Sequence, residues 1–254
     1  MLSALLLTAG CMSETDSQDQ IELSREDLRS GTTFLTAETQ RLQADSFENP
    51  GYLWVERGEQ IFANGSDASP ACVSCHDSGL EGVATRYPQV DAKTGALRNL
   101  EGRINQCRTE HQGAPAWDYE SDPLLSVTAY VAEQSKGMAI DIPIDESTEP
   151  YLNQGRDYFL TRRGQFNLSC QQCHTENWGA QLRGDTISQG HGNGFPAYRL
   201  EWQSLGSLHR RLRDCDTGVR AEPLPYGDPT YVAVELYLAI RANGLDIETP
   251  AVRR

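Results

Sequence analysis

Two Cys-x-x-Cys-His segments constrain this chain more than any other feature. They read Cys72-Val73-Ser74-Cys75-His76 and Cys170-Gln171-Gln172-Cys173-His174. Two thiols at this spacing can each add to one vinyl group of a porphyrin, and the adjoining histidine then stands under the iron. A redox Cys-x-x-Cys pair does not need that histidine. A structural zinc site wants four ligands, and the histidines of this chain include no second ligand at finger spacing. The two motifs together imply two haem c groups, one on Cys72, Cys75 and His76 and the other on Cys170, Cys173 and His174. Only 38% of the residues are apolar, so two buried porphyrins would add core volume that the side chains do not supply.

The stretches around the motifs repeat. Arg57-Gly58-Glu59-Gln60-Ile61-Phe62 leads into the first motif, and Gln154-Gly155-Arg156-Asp157-Tyr158-Phe159 leads into the second. Farther on, Asp122-Pro123 and Asp228-Pro229 each read as a helix start, with Asp at the N-cap and Pro at the first helical position. Those helices run through Tyr130 and Tyr237 and stop near Gly137 and Gly244, which read as C-caps. The expected unit is helix, motif, long loop, short helix, loop, C-terminal helix. That is the layout of a small cytochrome c domain, present twice. The fold class is therefore mainly α, with two tandem cytochrome c-like domains at 50–145 and 146–254, each holding one haem.

Of the seven cysteines, four belong to the motifs, and Cys107 and Cys215 occupy the same place in each copy. Leu100, Ile104 and Cys107 are spaced i, i+4, i+7, as are Leu208, Leu212 and Cys215, so each cysteine shares an apolar helix face turned toward its own haem. This is the stretch from which such a domain supplies its distal ligand. Met138 is the one realistic methionine donor and cannot serve two haems. His111, His191 and His209 do not fall at equivalent places. The axial pairs expected are His76 with Cys107 and His174 with Cys215; a Cys107–Cys215 disulfide and histidine ligation are the alternatives. Thiolate ligation would stabilise ferric iron and give low reduction potentials.

Leu2 to Gly10 is short and apolar, and Ala9-Gly10 precedes Cys11, as in a bacterial lipoprotein signal. Residues 1–11 therefore read as an export segment with Cys11 as the lipidation site, although no basic residue precedes the apolar run. Cleavage of an ordinary secretory signal nearby is the alternative. Residues 12–49 read as a tether and extension, the run Ser13 to Gln20 being polar. The expected location is periplasmic. A net charge of -14 argues against a nucleic-acid partner.

The chain resembles the dihaem form of the SoxA family. The resemblance rests on Asn49-Pro50-Gly51-Tyr52-Leu53-Trp54-Val55-Glu56, both haem motifs, Arg103-Ile104-Asn105-Gln106-Cys107, the run from Leu208 to Pro223, and Gly244-Leu245-Asp246-Ile247-Glu248-Thr249-Pro250. It covers nearly the whole chain after the export segment. The resemblance implies an L-cysteine S-thiosulfotransferase. A one-haem SoxX-type cytochrome would be its partner, and thiosulfate would be joined oxidatively to a cysteine of a SoxYZ-type carrier. It also implies that Cys215 is both distal ligand and catalytic residue, often as a persulfide, and that the first haem does not handle substrate.

The residues themselves bear on that chemistry. Joining dianionic thiosulfate to a thiolate brings like charges together and needs fixed positive charge. Arg211 lies one helical turn before Cys215 and can reach past the sulfur to hold a sulfonate-like oxygen pair. Arg103 holds the same place before Cys107, so pairing with a haem propionate is the competing reading. Arg213 and Arg220 face Asn105 and Gln112 in the first copy, an asymmetry that favours the second haem as the working one. Taken singly, Arg210 and Arg213 read as solvated surface. Gly190-His191-Gly192-Asn193-Gly194 reads as a flexible segment that either shapes access or is simply a long loop. A thiosulfate dehydrogenase forming tetrathionate and a plain dihaem electron carrier are the competing functions.

Overall fold

The computed structural model describes residues 23–64, 69–77 and 79–254. Cys11 and the export segment lie outside the described residues. Among those residues no helix is long and apolar enough to cross a membrane.

Among the described residues eight α-helices carry the fold: α1 Ala37–Ala44, α2 Tyr52–Ala63, α3 Leu100–Glu110, α4 Asp122–Glu133, α5 Glu149–Leu160, α6 Cys170–His174, α7 Leu208–Gly218 and α8 Pro229–Arg241. The sequence repeat becomes a structural repeat. Helix α2 crosses α4, and α5 crosses α8, in each case at a glycine. A Cβ on Gly58 would stand 2.1 Å from Ser126 O, and one on Gly155 would stand 2.1 Å from Ala233 O. Backbones this close exclude any side chain at the crossing. Beside each glycine an aromatic pair closes the contact, Phe62 on Tyr130 at 5.3 Å and Phe159 on Tyr237 at 5.1 Å between centroids. The short helices α3 and α7 are capped by Asn99 and Ser207, whose side chains accept from the first-turn amides of Gly102 and Arg210.

Three expected caps shift. The N-cap of α4 is Ser121, one residue before Asp122. Asp122 is instead drawn to α2, where Arg57 Nη1 and Trp54 Nε1 donate to its carboxylate at 3.0 and 3.2 Å. Asp228 does cap α8. Gly137 and Gly244 lie beyond the last helical turns, with φ of +78° and +93°. They turn the chain so that the segments after α4 and α8 bond to each other, Gly137 N–H to Ile247 O and Gly244 N–H to Ile140 O, both at 2.9 Å.

Short strands complete the molecule. β1 Gln89–Val90 pairs with β2 Leu97–Arg98, and β3 Gln181–Leu182 with β4 Asp185–Thr186. A three-stranded sheet has β5 Ala197–Arg199 at its centre, antiparallel to β6 Ser204–Gly206 and parallel to β7 Ala251–Arg253. Tyr198, Leu205 and Val252 of this sheet share a core with Val55, Leu125 and Ala129 of the first half. The extension ahead of residue 50 is folded onto this sheet. Gln43 Oε1 accepts from Val252 N–H at 3.1 Å, and Asn49 Nδ2 donates to Pro250 O at 2.8 Å.

Candidate functional site

Each motif meets the spare cysteine of its own half. On α3 the Cys107 thiol lies within electrostatic reach of Cys72 and Cys75; burial pushes its pKa up and Arg103 draws it down. On α7 Cys215 lies within reach of Cys170 and Cys173. The six described cysteines are all free, so no bridge joins Cys107 to Cys215. Each belongs to a different helix pair and faces that pair's own motif.

His174 is fixed from behind. Its Nδ1–H donates to Ser188 O at 2.7 Å, which sets the tautomer and leaves the Nε2 lone pair free. Gly190, at φ +78°, packs flat on the ring, since a Cβ there would stand 2.9 Å from His174 Cγ. Burial lowers the His174 pKa to about 4, so the imidazole is neutral, the form that ligates a metal. The 190–194 segment is therefore packed and not flexible. His191 and Asn193 are 7% and 3% exposed. His191 Nδ1 bonds to Arg29 O at 3.0 Å, and Asn193 Nδ2 donates to Asp246 O at 2.9 Å. The N-terminal extension thus closes over the loop that supports His174, with Gln189 accepting from Arg29 N–H and donating to Asp27 O.

The first motif is more open. His76 leans on Phe62 with centroids 6.2 Å apart. Gln112 Nε2 donates to Cys72 Sγ at 3.4 Å, and a cavity beside Cys72 is lined by Ile61, Pro70, Arg108, Gln112 and Trp117. The competing axial donors are placed elsewhere. His111 is exposed at the end of α3. His209 is fully buried between the halves, accepting from Gly227 N–H at 3.0 Å and stacked on Tyr119. Met138 is 38% exposed and packs against Gly82.

The arginines separate by partner. Arg103 Nη1 pairs with Asp91 at 3.0 Å and its Nε donates to Tyr87 Oη, so it is held within the first half. Arg210 and Arg213 are engaged and not simply solvated. Arg210 donates to Ser204 Oγ at 3.1 Å and lies over Trp202, while Arg213 donates to Leu224 O and lies over Tyr226. Arg220 reaches Gln165 and covers Phe166. Among the described residues no hydrogen bond or ion pair occupies the Arg211 side chain. Its charge acts on His174, on Arg199 and on the carboxylate of Glu201. Arg199 is itself 6% exposed and paired with Glu201 at 2.7 Å. A free guanidinium thus stands one turn before Cys215, inside the field of a second one.

Two further features escape a reading by local spacing. Asp216, next to Cys215, is 3% exposed and accepts from Tyr158 Oη and Tyr231 Oη, each at 2.6 Å. Arg163 Nη1 lies 3.5 Å from Asp216 and 3.4 Å from Cys170 Sγ. Burial and Asp216 together push both phenol pKa values up, so the protons stay on the tyrosines. Between the halves, Glu101 of α3 and Glu235 of α8 line one cavity with Leu100, Leu208 and Thr128. Nothing in the local sequence pattern marked either feature, because the partners come from elements far apart in the chain.

The thiol pairs, the neutral imidazole with its free Nε2 and the inward Cys215 make a donor set that fits haem c. Comparison with known proteins points the same way. The family model described as SoxA/TsdA, cytochrome c domain, matches residues 57–140. The L-cysteine S-thiosulfotransferase subunit SoxA of Rhodovulum sulfidophilum is 40% identical over 233 residues, covering 90% of this chain and 81% of that protein. Its namesake from Pseudaminobacter salicylatoxidans is 39% identical over 232 residues, covering 89% and 80%. The crystal structure of SoxXA from P. pantotrophus aligns with a TM-score of 0.85 at 37% identity, covering 89% of this chain and 87% of that one.

Proposed function

The chain belongs to the SoxA family of L-cysteine S-thiosulfotransferase subunits, and from that premise we propose that its second half, 146–254, is the catalytic one. It is a haem c protein that works with a SoxX-type cytochrome and joins thiosulfate to a cysteine of a SoxYZ-type carrier. The two halves, 50–145 and 146–254, each hold one haem: Cys72, Cys75, His76 and Cys107 in the first, Cys170, Cys173, His174 and Cys215 in the second. Export to the periplasm, with lipid on Cys11, belongs to the same reading.

The observation that carries it is the asymmetry of the arginines. Arg103 is spent on Asp91, whereas Arg211 is unpaired one turn from Cys215. The reaction removes two electrons while one sulfur–sulfur bond forms: a carrier thiolate and a thiosulfate dianion give a thiosulfonate-capped carrier with a single negative charge. When bound, haem c would supply one-electron acceptance, so that the two electrons leave in successive single steps to the SoxX-type partner. Burial keeps His174 neutral, and Ser188 and Gly190 orient it. Arg211 binds the sulfonate end of thiosulfate and offsets repulsion from the Cys215 sulfur. Cys215 holds the transferable sulfur chemistry at the end of α7.

Cys215→Met is expected to abolish conjugation of thiosulfate to the carrier, measured by mass spectrometry of the carrier in the SoxX complex, while Cys107→Met keeps most of it. Equal loss at both cysteines contradicts the division of labour. Tetrathionate appearing without a carrier selects the dehydrogenase reading.

A further inference from the structure

We propose that Asp216, Tyr158, Tyr231 and Arg163 form a buried charge clamp that positions Cys215 and sets the electrostatic environment of the second haem, a role with no counterpart in the first half. The proposal rests on the reading of Cys215 as a ligand of that haem.

The clamp joins four separate places in the chain. Tyr158 comes from α5, Arg163 from the loop after it, Asp216 from α7 and Tyr231 from α8. Both phenols donate to Asp216 Oδ2, and Arg163 faces Oδ1. Arg163 also donates to Tyr158 O, stacks over the Tyr158 ring with its Cζ 3.6 Å from the centroid, and reaches Cys170 Sγ. One guanidinium therefore ties a haem-attaching cysteine to the residue beside the distal cysteine. The end of α7 cannot shift without breaking charge-assisted bonds in a dry setting.

The first half shows that packing alone does not demand this. Aligning the repeat in sequence through Gly58 and Gly155, and through Tyr130 and Tyr237, matches Ile61 to Tyr158 and Leu124 to Tyr231. The residue after Cys107 is Arg108, which lies over Trp117 with its Cζ 3.5 Å from the ring centroid. The same scaffold closes there with apolar side chains and the opposite charge. Burying a carboxylate and a guanidinium costs desolvation that apolar residues would avoid, so the cluster is a poor device for stability alone. Its effect is electrostatic. A carboxylate beside the thiolate, with its balance set by Arg163, biases the second centre toward the oxidised form. The two centres are thereby set apart.

The test uses the full haem-loaded complex with its SoxX-type partner. Both haem potentials are followed by spectroelectrochemistry and the thiolate signature by electron paramagnetic resonance. Asp216→Asn is expected to raise the potential of the second haem, because Arg163 is left uncompensated. Arg163→Gln is expected to lower it, and Asp216→Glu to restore it. The first haem stays where it was in all three. Should Asp216→Asn fail to fold, Tyr158→Phe with Tyr231→Phe keeps the charge but removes its donors, and is expected to lower the second potential. An unmoved second haem in folded variants, or equal shifts at both haems, overturns the clamp. Failure of the ligation reading shows separately, as an unchanged second-haem spectrum in Cys215→Met.

Discussion

The two halves use one scaffold and differ in what surrounds a single sulfur. Around Cys107, Arg103 is locked to Asp91 and Tyr87, and Arg108 lies over Trp117. Around Cys215, Arg211 is left unpaired and Asp216 is clamped by two tyrosines and an arginine. The helix crossings, aromatic pairs and capped short helices are shared. Specialisation has therefore been placed on side chains at the ends of α3 and α7, where the helical repeat presents equivalent positions. Scaffold changes should strike both halves alike, and site changes should strike one.

The largest effect belongs to the shared scaffold. Gly58→Ala and Gly155→Ala each push a methyl group onto a facing carbonyl, and each is expected to cost about 3 kcal/mol or more in chemical unfolding. Tolerance at one site and not the other would break the equivalence of the crossings. Next comes Arg211→Ala. It is expected to cut thiosulfate conjugation by about 100- to 1,000-fold with little change in melting temperature. Arg103→Ala should do the reverse, lowering the melting temperature while conjugation persists.

The seam between the halves gives a pH dependence. Burial, then repulsion from Glu120, raises the Glu101 pKa to about 7. Burial, then repulsion from Glu101, raises that of Glu235 well above the usual carboxylate range. His209 Nε2 stands 3.4 Å from Glu235, but burial drops its own pKa to about 3, so it supplies no positive charge. At these two carboxyls the folded chain binds more protons than the unfolded chain above pH ~4.5, while the buried neutral His174, His191 and His209 act in the opposite sense below pH ~6.5. The carboxyls' contribution to stability is fully present below pH ~4.5 and falls as pH rises through 7, by on the order of 1–3 kcal/mol. Glu235→Gln should flatten the fall, measured by denaturation from pH 5 to 8.5. Parallel pH profiles for the parent and Glu235→Gln would show that the seam holds no extra proton. The smallest effect is at the surface. Arg57 pairs with Asp122 at 3.0 Å, both groups exposed, while in the second half Gln154 Nε2 donates to Thr230 Oγ1 at 3.4 Å. Arg57→Ala should cost less than about 1 kcal/mol, and less still in high salt.

What the sequence determined by itself was local chemistry and local periodicity. Cys72, Cys75 and His76 sit within five residues, as do their counterparts in the second motif, so their joint chemistry was legible without a fold. The apolar face shared by Leu208, Leu212 and Cys215 followed from helical geometry, as did the place of Arg211 one turn back. The repeat placed Gly58 and Gly155 at equivalent positions, and only the structure made them helix crossings. Only the tertiary structure decided which charges are spent and which are free. Arg103 finds Asp91 from a hairpin, His174 is propped by Ser188 and Gly190, and Asp216 is clamped from α5 and α8. It also decided that Glu101 and Glu235 share one cavity. Spacing fixes which side chains share a helix face. Burial and pairing depend on elements that meet only when the chain closes, and those set each group's charge.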